Sequence, residues 1–339
     1  MLRDDVSWWA SLVFSASKSD WESAMGLAVA TQVARVLHEG VTQLRRVNPA
    51  RAVSPTGTWD DDIAAARHTV KLLDDNKKTV DSVLADFAAI STRHSEAFGD
   101  LGDFAYIESD GRMLATTRLL SYQALADLDE SGTPREGDRS YRLSETMGQR
   151  TVMLQRGFGM GDPLIRAVGL PKLTAPSATT TTTSDFAATS YDDTIPEEAK
   201  DVAMVIECSV NAALHVFEPT AAAFASSLFR VRFVAATHAL SALEQLLTRF
   251  PSDDSAVRRS LDAIVHPPAS ERIRSLRPLR NRSMHYGVPF TLNGLHLERP
   301  AYGLVEATTE RTQTFPEVET CIRTILGDLS EVLRDWRRG

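Results

Sequence analysis

An arginine, an asparagine and a histidine fall within six consecutive positions, Arg280-Asn281-Arg282-Ser283-Met284-His285. An imidazole moves protons near neutral pH, a guanidinium grips a phosphate through paired donors, and a primary amide can hold either in place. On a helix Asn281 and His285 are four apart and share a face, with Arg280 at its flank, so the amide is placed to orient the ring. This set suits cleavage of RNA. RNA carries its own nucleophile, the 2′-hydroxyl, so breaking the strand needs one proton removed there and one delivered to the leaving 5′-oxygen. No metal or cofactor is called for. His285 is the candidate general acid or base, Arg280 the stabiliser of phosphorane charge, and Asn281 the group that orients His285 or bonds the phosphate. The spacing leaves open which proton His285 handles. Arg277 and Arg282 are candidate phosphate contacts, and Tyr286 either stacks on a base or packs at the helix end.

The motif resembles that of the HEPN superfamily, whose Arg-Asn-x-x-x-His form is matched by Arg280, Asn281 and His285 and is followed here by Tyr286-Gly287. The resemblance covers roughly the last 140 residues and implies a small helical bundle with the motif on one helix. It also implies a metal-independent endoribonuclease, of the kind that includes toxins and antiviral-defence effectors, and a homodimer whose two motifs line one cleft. RNA is then the expected substrate, and an antitoxin or other regulatory protein an expected partner. The alternative is a non-catalytic module of the same shape that binds RNA, nucleotide or protein through the same patch.

Charge supports the placement of the site. Residues 1–196 carry 20 basic and 27 acidic side chains, whereas residues 197–339 carry 17 and 18, so most of the net −8 belongs to the first part. Between Ala256 and His285 seven arginines (Arg258, Arg259, Arg272, Arg274, Arg277, Arg280, Arg282) face only Asp262 and Glu271. Such a cluster steers phosphates. The competing account is a helix surface in a chain that prefers arginine to lysine, since Lys200 is the only lysine after residue 196. Glu244 reads as a helix-surface carboxylate and stays outside the site. His38, His215 and His238 stand singly in helical stretches, so no metal site is expected from them. Cys208 and Cys321 lack metal-ligand spacing and read as reduced thiols among apolar residues. With 43% hydrophobic and 24% charged residues, no basic leader followed by an apolar core, and no membrane-length apolar run, a cytoplasmic, non-membrane protein is expected.

The elements that must position the motif read as mainly α. A helix-rich α+β domain is expected over 1–174, a flexible Ser/Thr-rich linker over 175–196, and a helical bundle of four or five helices over 197–339. The linker expectation rests on Thr174 to Thr194, where eleven of twenty-one residues are Ser or Thr. In the first part, Trp8 to Val47 predicts two helical pieces. A second long helix is expected to begin at an N-cap in Thr58-Trp59-Asp60-Asp61, with a stripe from Ile63 through Val70, Lys77, Val80 and Leu84 to Phe87. Asp110-Gly111 predicts a hairpin over 104–116. Gly157-Phe158-Gly159-Met160-Gly161 lacks the lysine ending of a phosphate loop and reads as a turn. In the second part, Pro196 and Pro219 open helices, Ser255 opens a shorter one, and Ser275 is the expected cap that puts Pro278 in the first turn of the motif helix. Phe290 to Leu297 predicts a hairpin around Asn293-Gly294. Val318, Ile322, Ile325, Leu329, Val332 and Trp336 mark the last helix.

Overall fold

A computed structural model describes residues 1–16, 20–51, 63–64, 66–67, 79–98, 102–124, 136–159, 174, 176–191, 195–218, 221–251, 255–287 and 292–339. Among the described residues the molecule is mainly helical with one small sheet. The N-terminal helices are α1 (Leu2–Ala16), α2 (Asp20–Val47) and α3 (Val80–Phe98). Strands β1 (Phe104–Ser109) and β2 (Arg112–Thr116) follow, then α4 (Thr117–Ala124) and α5 (Glu136–Gly157). Strand β3 (Ser177–Thr181) and α6 (Thr183–Thr189) lead to α7 (Glu197–Asn211), which runs into a π turn at Ala212–Val216. The remaining helices are α8 (Ala221–Arg249), α9 (Ala256–Val265), α10 (Pro268–Ser275), α11 (Arg277–His285), α12 (Leu304–Thr308) and α13 (Phe315–Arg338).

Local sequence accounts for much of this. Asp110 and Gly111 take positive φ angles of 51° and 68°, the conformation that turns β1 back as antiparallel β2. Ser255 caps α9 by accepting from the Arg258 N–H at 3.1 Å. Thr314 and Glu317 form a reciprocal capping box at the start of α13, whose buried stripe holds Val318, Ile322, Ile325, Leu329, Leu333 and Trp336. No helix among the described residues is long and apolar enough to cross a membrane.

Most of the segment expected to be a flexible linker forms regular structure, residues 175 and 192–194 lying outside the described residues. Ser177 to Thr181 form the edge strand β3, which pairs antiparallel with β1 from Phe104↔Thr181 to Glu108↔Ser177. Thr182 then caps α6, and buried Thr183 donates its hydroxyl to Asp103 at 2.5 Å. The composition misled because threonine is poor in apolar surface yet β-branched, and so it suits a half-covered strand. Nor does a core boundary fall there. One cluster of buried apolar residues runs from Val6 and Trp8 through Val205 and Leu240 to Leu333 and Trp336. The buried Arg230 of α8 pairs with the buried Asp5 of α1.

The stripe from Ile63 to Phe87 is not one helix, because Thr79 is non-helical and its hydroxyl accepts from the Ser82 N–H at 3.2 Å, starting α3 afresh. The cap at Thr58 to Asp61, Val70, Lys77 and Pro219 lie outside the described residues. Residues 136–157, which carried no clear signal, form α5; its end is the Gly157-to-Gly159 turn, with Gly159 at φ 62°. Leu276, not Ser275, precedes the motif helix, and α10 fills the preceding residues. Asn293 and Gly294 do form a turn, but Leu292 and Leu295 to Leu297 are in no strand. Instead the His296 N–H bonds the Tyr302 carbonyl at 2.9 Å.

Candidate functional site

The motif helix is bounded by two backbone breaks. Leu276, at φ −75° and ψ 38°, ends α10 and starts α11, so Pro278 sits in the first turn, where its missing N–H removes no helical bond. At the other end Tyr286 takes the left-handed conformation, φ 54° and ψ 9°, and its N–H closes on the Arg282 carbonyl at 3.1 Å. Leu279, Ser283 and Met284 are buried, which turns Arg277 and Asn281 outward and leaves Arg280, Arg282 and His285 half-buried.

The chain clamps the C-terminal end of this helix from outside the motif. Arg35, Glu39 and Gln43 recur every four residues on α2, and all three reach it. Arg35 is fully buried; its Nη1 donates to the carbonyls of Ser283 at 2.9 Å and Met284 at 3.4 Å, placing a cation on the negative end of the helix. Gln43 Nε2 donates to the His285 carbonyl at 3.0 Å. Glu39 Oε1 lies 3.0 Å from His285 Nδ1 and 2.6 Å from Arg67 Nη2. The Glu39 side chain is 6% exposed, whereas that of His285 is 38% exposed, so the carboxylate is an internal strut and the ring opens to solvent. Burial raises the Glu39 carboxyl pKa, but the bond with His285 and the charge of Arg67 outweigh it and hold it below the usual carboxylate range.

Each expected site residue can now be placed. Arg280 and His285 lie on the same helix. Asn281 does not orient His285: it is exposed, and its amide oxygen accepts from Arg280 Nε and Nη2, each at 3.4 Å. The ring is held by Glu39 instead. Arg277 and Arg282 have no ion-pair partner among the described residues. By contrast Arg274 is 3.0 Å from Glu244 and Arg258 is 3.6 Å from Asp262, so part of the arginine excess serves the helices themselves. Tyr286 is not a base-stacking surface. It is 8% exposed, its hydroxyl donates to Asp5, and Arg35 lies 5.9 Å from its ring centre.

Sequence reading missed Arg35, Glu39, Gln43 and Arg67. A signal existed for the first three, since their four-residue spacing puts Arg35, Glu39 and Gln43 on one face of α2. It also missed a second buried polar cluster. Arg118 Nη1 lies 2.6 Å from His94 Nδ1, and Arg118 Nε lies 3.6 Å from Asp201. This cluster underlies a cavity of about 800 Å³ lined by Ser95, Asp103, Thr183, Glu197 and Asp201, among others. No family model, no curated protein and no solved structure matches the chain.

Proposed function

We propose that the protein is a metal-independent endoribonuclease with a HEPN-like C-terminal bundle, cutting RNA by attack of the 2′-hydroxyl on the adjacent phosphorus. One observation carries this reading: a solvent-open imidazole stands on the same short helix as Arg280 and is anchored from behind by a buried carboxylate at 3.0 Å. An anchored imidazole is the group a proton-transfer step needs. Arg280 supplies the planar fork that neutralises charge gathering on the phosphorane oxygens. Arg277 and Arg282, without acidic partners among the described residues, extend the phosphate-binding surface. A homodimer provides the second proton transfer: one neutral His285 takes the 2′-hydroxyl proton while the imidazolium of the other gives its proton to the leaving 5′-oxygen. The bond from the 2′-oxygen to phosphorus forms as the bond from phosphorus to the 5′-oxygen breaks, leaving a 2′,3′-cyclic phosphate.

The test is incubation of the full chain with mixed single-stranded RNAs in excess chelator, followed by analysis of the fragment ends. Cleavage with cyclic phosphate ends is expected, and DNA should remain intact. His285→Ala and Arg280→Ala should each reduce the rate roughly a hundred-fold or more, within the range of a positioned acid or base. Arg280→Lys should fall short of wild type, because an ammonium lacks the fork. Equal cutting of DNA, or full activity in a folded His285→Ala protein, rejects the mechanism. Binding of RNA without cleavage replaces it with the binding-module reading.

A further inference from the structure

The two ring nitrogens of His285 are in different surroundings, and the difference bears on which proton the ring can move. Nδ1 faces Glu39 Oε1 at 3.0 Å and Arg67 Nη2 at 3.4 Å, whereas no described residue is hydrogen-bonded to Nε2. One nitrogen cannot serve both neighbours. If Nδ1 carries the proton it donates to the carboxylate; if it carries the lone pair it accepts from the guanidinium. The second choice points a lone pair at a buried anion at the shorter distance. Arg67 loses nothing by the first, since the same Nη2 already bonds Glu39 at 2.6 Å. Charge-assisted bonds are the stronger ones, and the partner of one ring nitrogen decides the state of the other.

The geometry points to Glu39 as a positioning residue that keeps the proton of neutral His285 on Nδ1, so that the lone pair on Nε2 faces solvent and the ring starts as a base. This rests on the RNA-cleavage reading and deepens it. In the attacking step the 2′-hydroxyl proton passes to Nε2, the 2′-oxygen bonds phosphorus, and the resulting imidazolium holds its Nδ1–H on Glu39 throughout. Arg67 shares the carboxylate oxygen and restrains it in the rotamer that faces the ring. The N-terminal helix α2 therefore contributes a group to the site that the Arg-Asn-x-x-x-His motif alone lacks.

The experiment uses the full chain with ¹⁵N-labelled histidine, in buffer alkaline enough for neutral rings, with the His285 signals assigned by their loss in His285→Ala. Wild type should show a protonated Nδ1 and an unprotonated Nε2. Glu39→Gln, whose amide can donate, should move the proton to Nε2, while Arg67→Met should keep the wild-type pattern. In RNA cleavage Glu39→Gln should lose roughly ten-fold or more in kcat with little change in KM, a part of what a positioned base contributes. If Glu39→Gln fails to fold, the wild-type spectrum decides alone. A proton on Nε2 in wild type, or a folded Glu39→Gln with an unchanged pattern, overturns the assignment. A protonated Nδ1 in a protein that cuts no RNA keeps the Glu39 assignment and removes the ribonuclease reading; RNA cleavage with the proton on Nε2 does the reverse.

Discussion

At the scale of single residues, the buried end of the motif helix depends on charges that sit far from it in sequence. Asp5 is 1% exposed, pairs with the buried Arg230 and accepts from the Tyr286 hydroxyl. Burial raises the Asp5 carboxyl pKa, but the Arg230 guanidinium outweighs it and holds it below the usual range. Burial and the Asp5 charge keep the Tyr286 phenol protonated at any ordinary pH. Tyr286→Phe should therefore destabilise the fold by about 1.5–3 kcal/mol, the range for a hydrogen bond to a charged partner. Urea unfolding measures it, and a change below about 0.5 kcal/mol would show that the hydroxyl is not a structural bond. If Tyr286 stacked on a base, the loss would appear in RNA affinity and not in stability.

Among the elements, the sheet and α7 meet through polar groups inside the core. Buried Glu207 accepts from the Met113 N–H at 3.0 Å and from Arg337 Nε at 3.0 Å, and Asn211 donates to the Met113 carbonyl at 2.8 Å. The backbone of β2 is thus satisfied by a helix rather than a further strand. Nearby on α7, Asp201 is 2% exposed, and burial pushes its carboxyl pKa up to about 8, with Arg118 acting in the opposite direction. An acid whose folded pKa exceeds its unfolded value binds more protons when folded, so its contribution is full below the unfolded pKa and is lost as pH rises through about 8. Asp201→Asn, which keeps the shape without the charge, should gain on wild type between about pH 5 and pH 9. Thermal melts across that window check this; a gap that stays constant or narrows would mean that Asp201 remains ionised beside Arg118.

For the whole molecule, α1 packs on α8 and α2 on α11, while α3 and β2 pack on α7. Residues 197–339 alone would leave these faces bare, along with the charges that Asp5 and Glu39 now neutralise or anchor. The isolated fragment should lack cooperative unfolding, whereas the full chain should melt as one transition by calorimetry. Residues 177–189, paired in β3 and α6, should resist limited proteolysis. A fragment 197–339 with a sharp urea transition, or first cleavage within 177–189, would restore a two-domain account. What the sequence determined by itself was local. Helix starts at Pro196 and Ser255, the Asp110-Gly111 turn and the stripe of α13 follow from backbone sterics and short-range periodicity, which reach only a few residues along the chain. The motif helix was legible in the same way, through Pro278 and the spacing of Arg280 to His285. Only tertiary structure decided that a threonine run becomes a strand and that Tyr286 faces Asp5. It alone brought Glu39, 246 positions away, to His285, because a hydrogen bond across such a separation leaves no periodic trace in the chain.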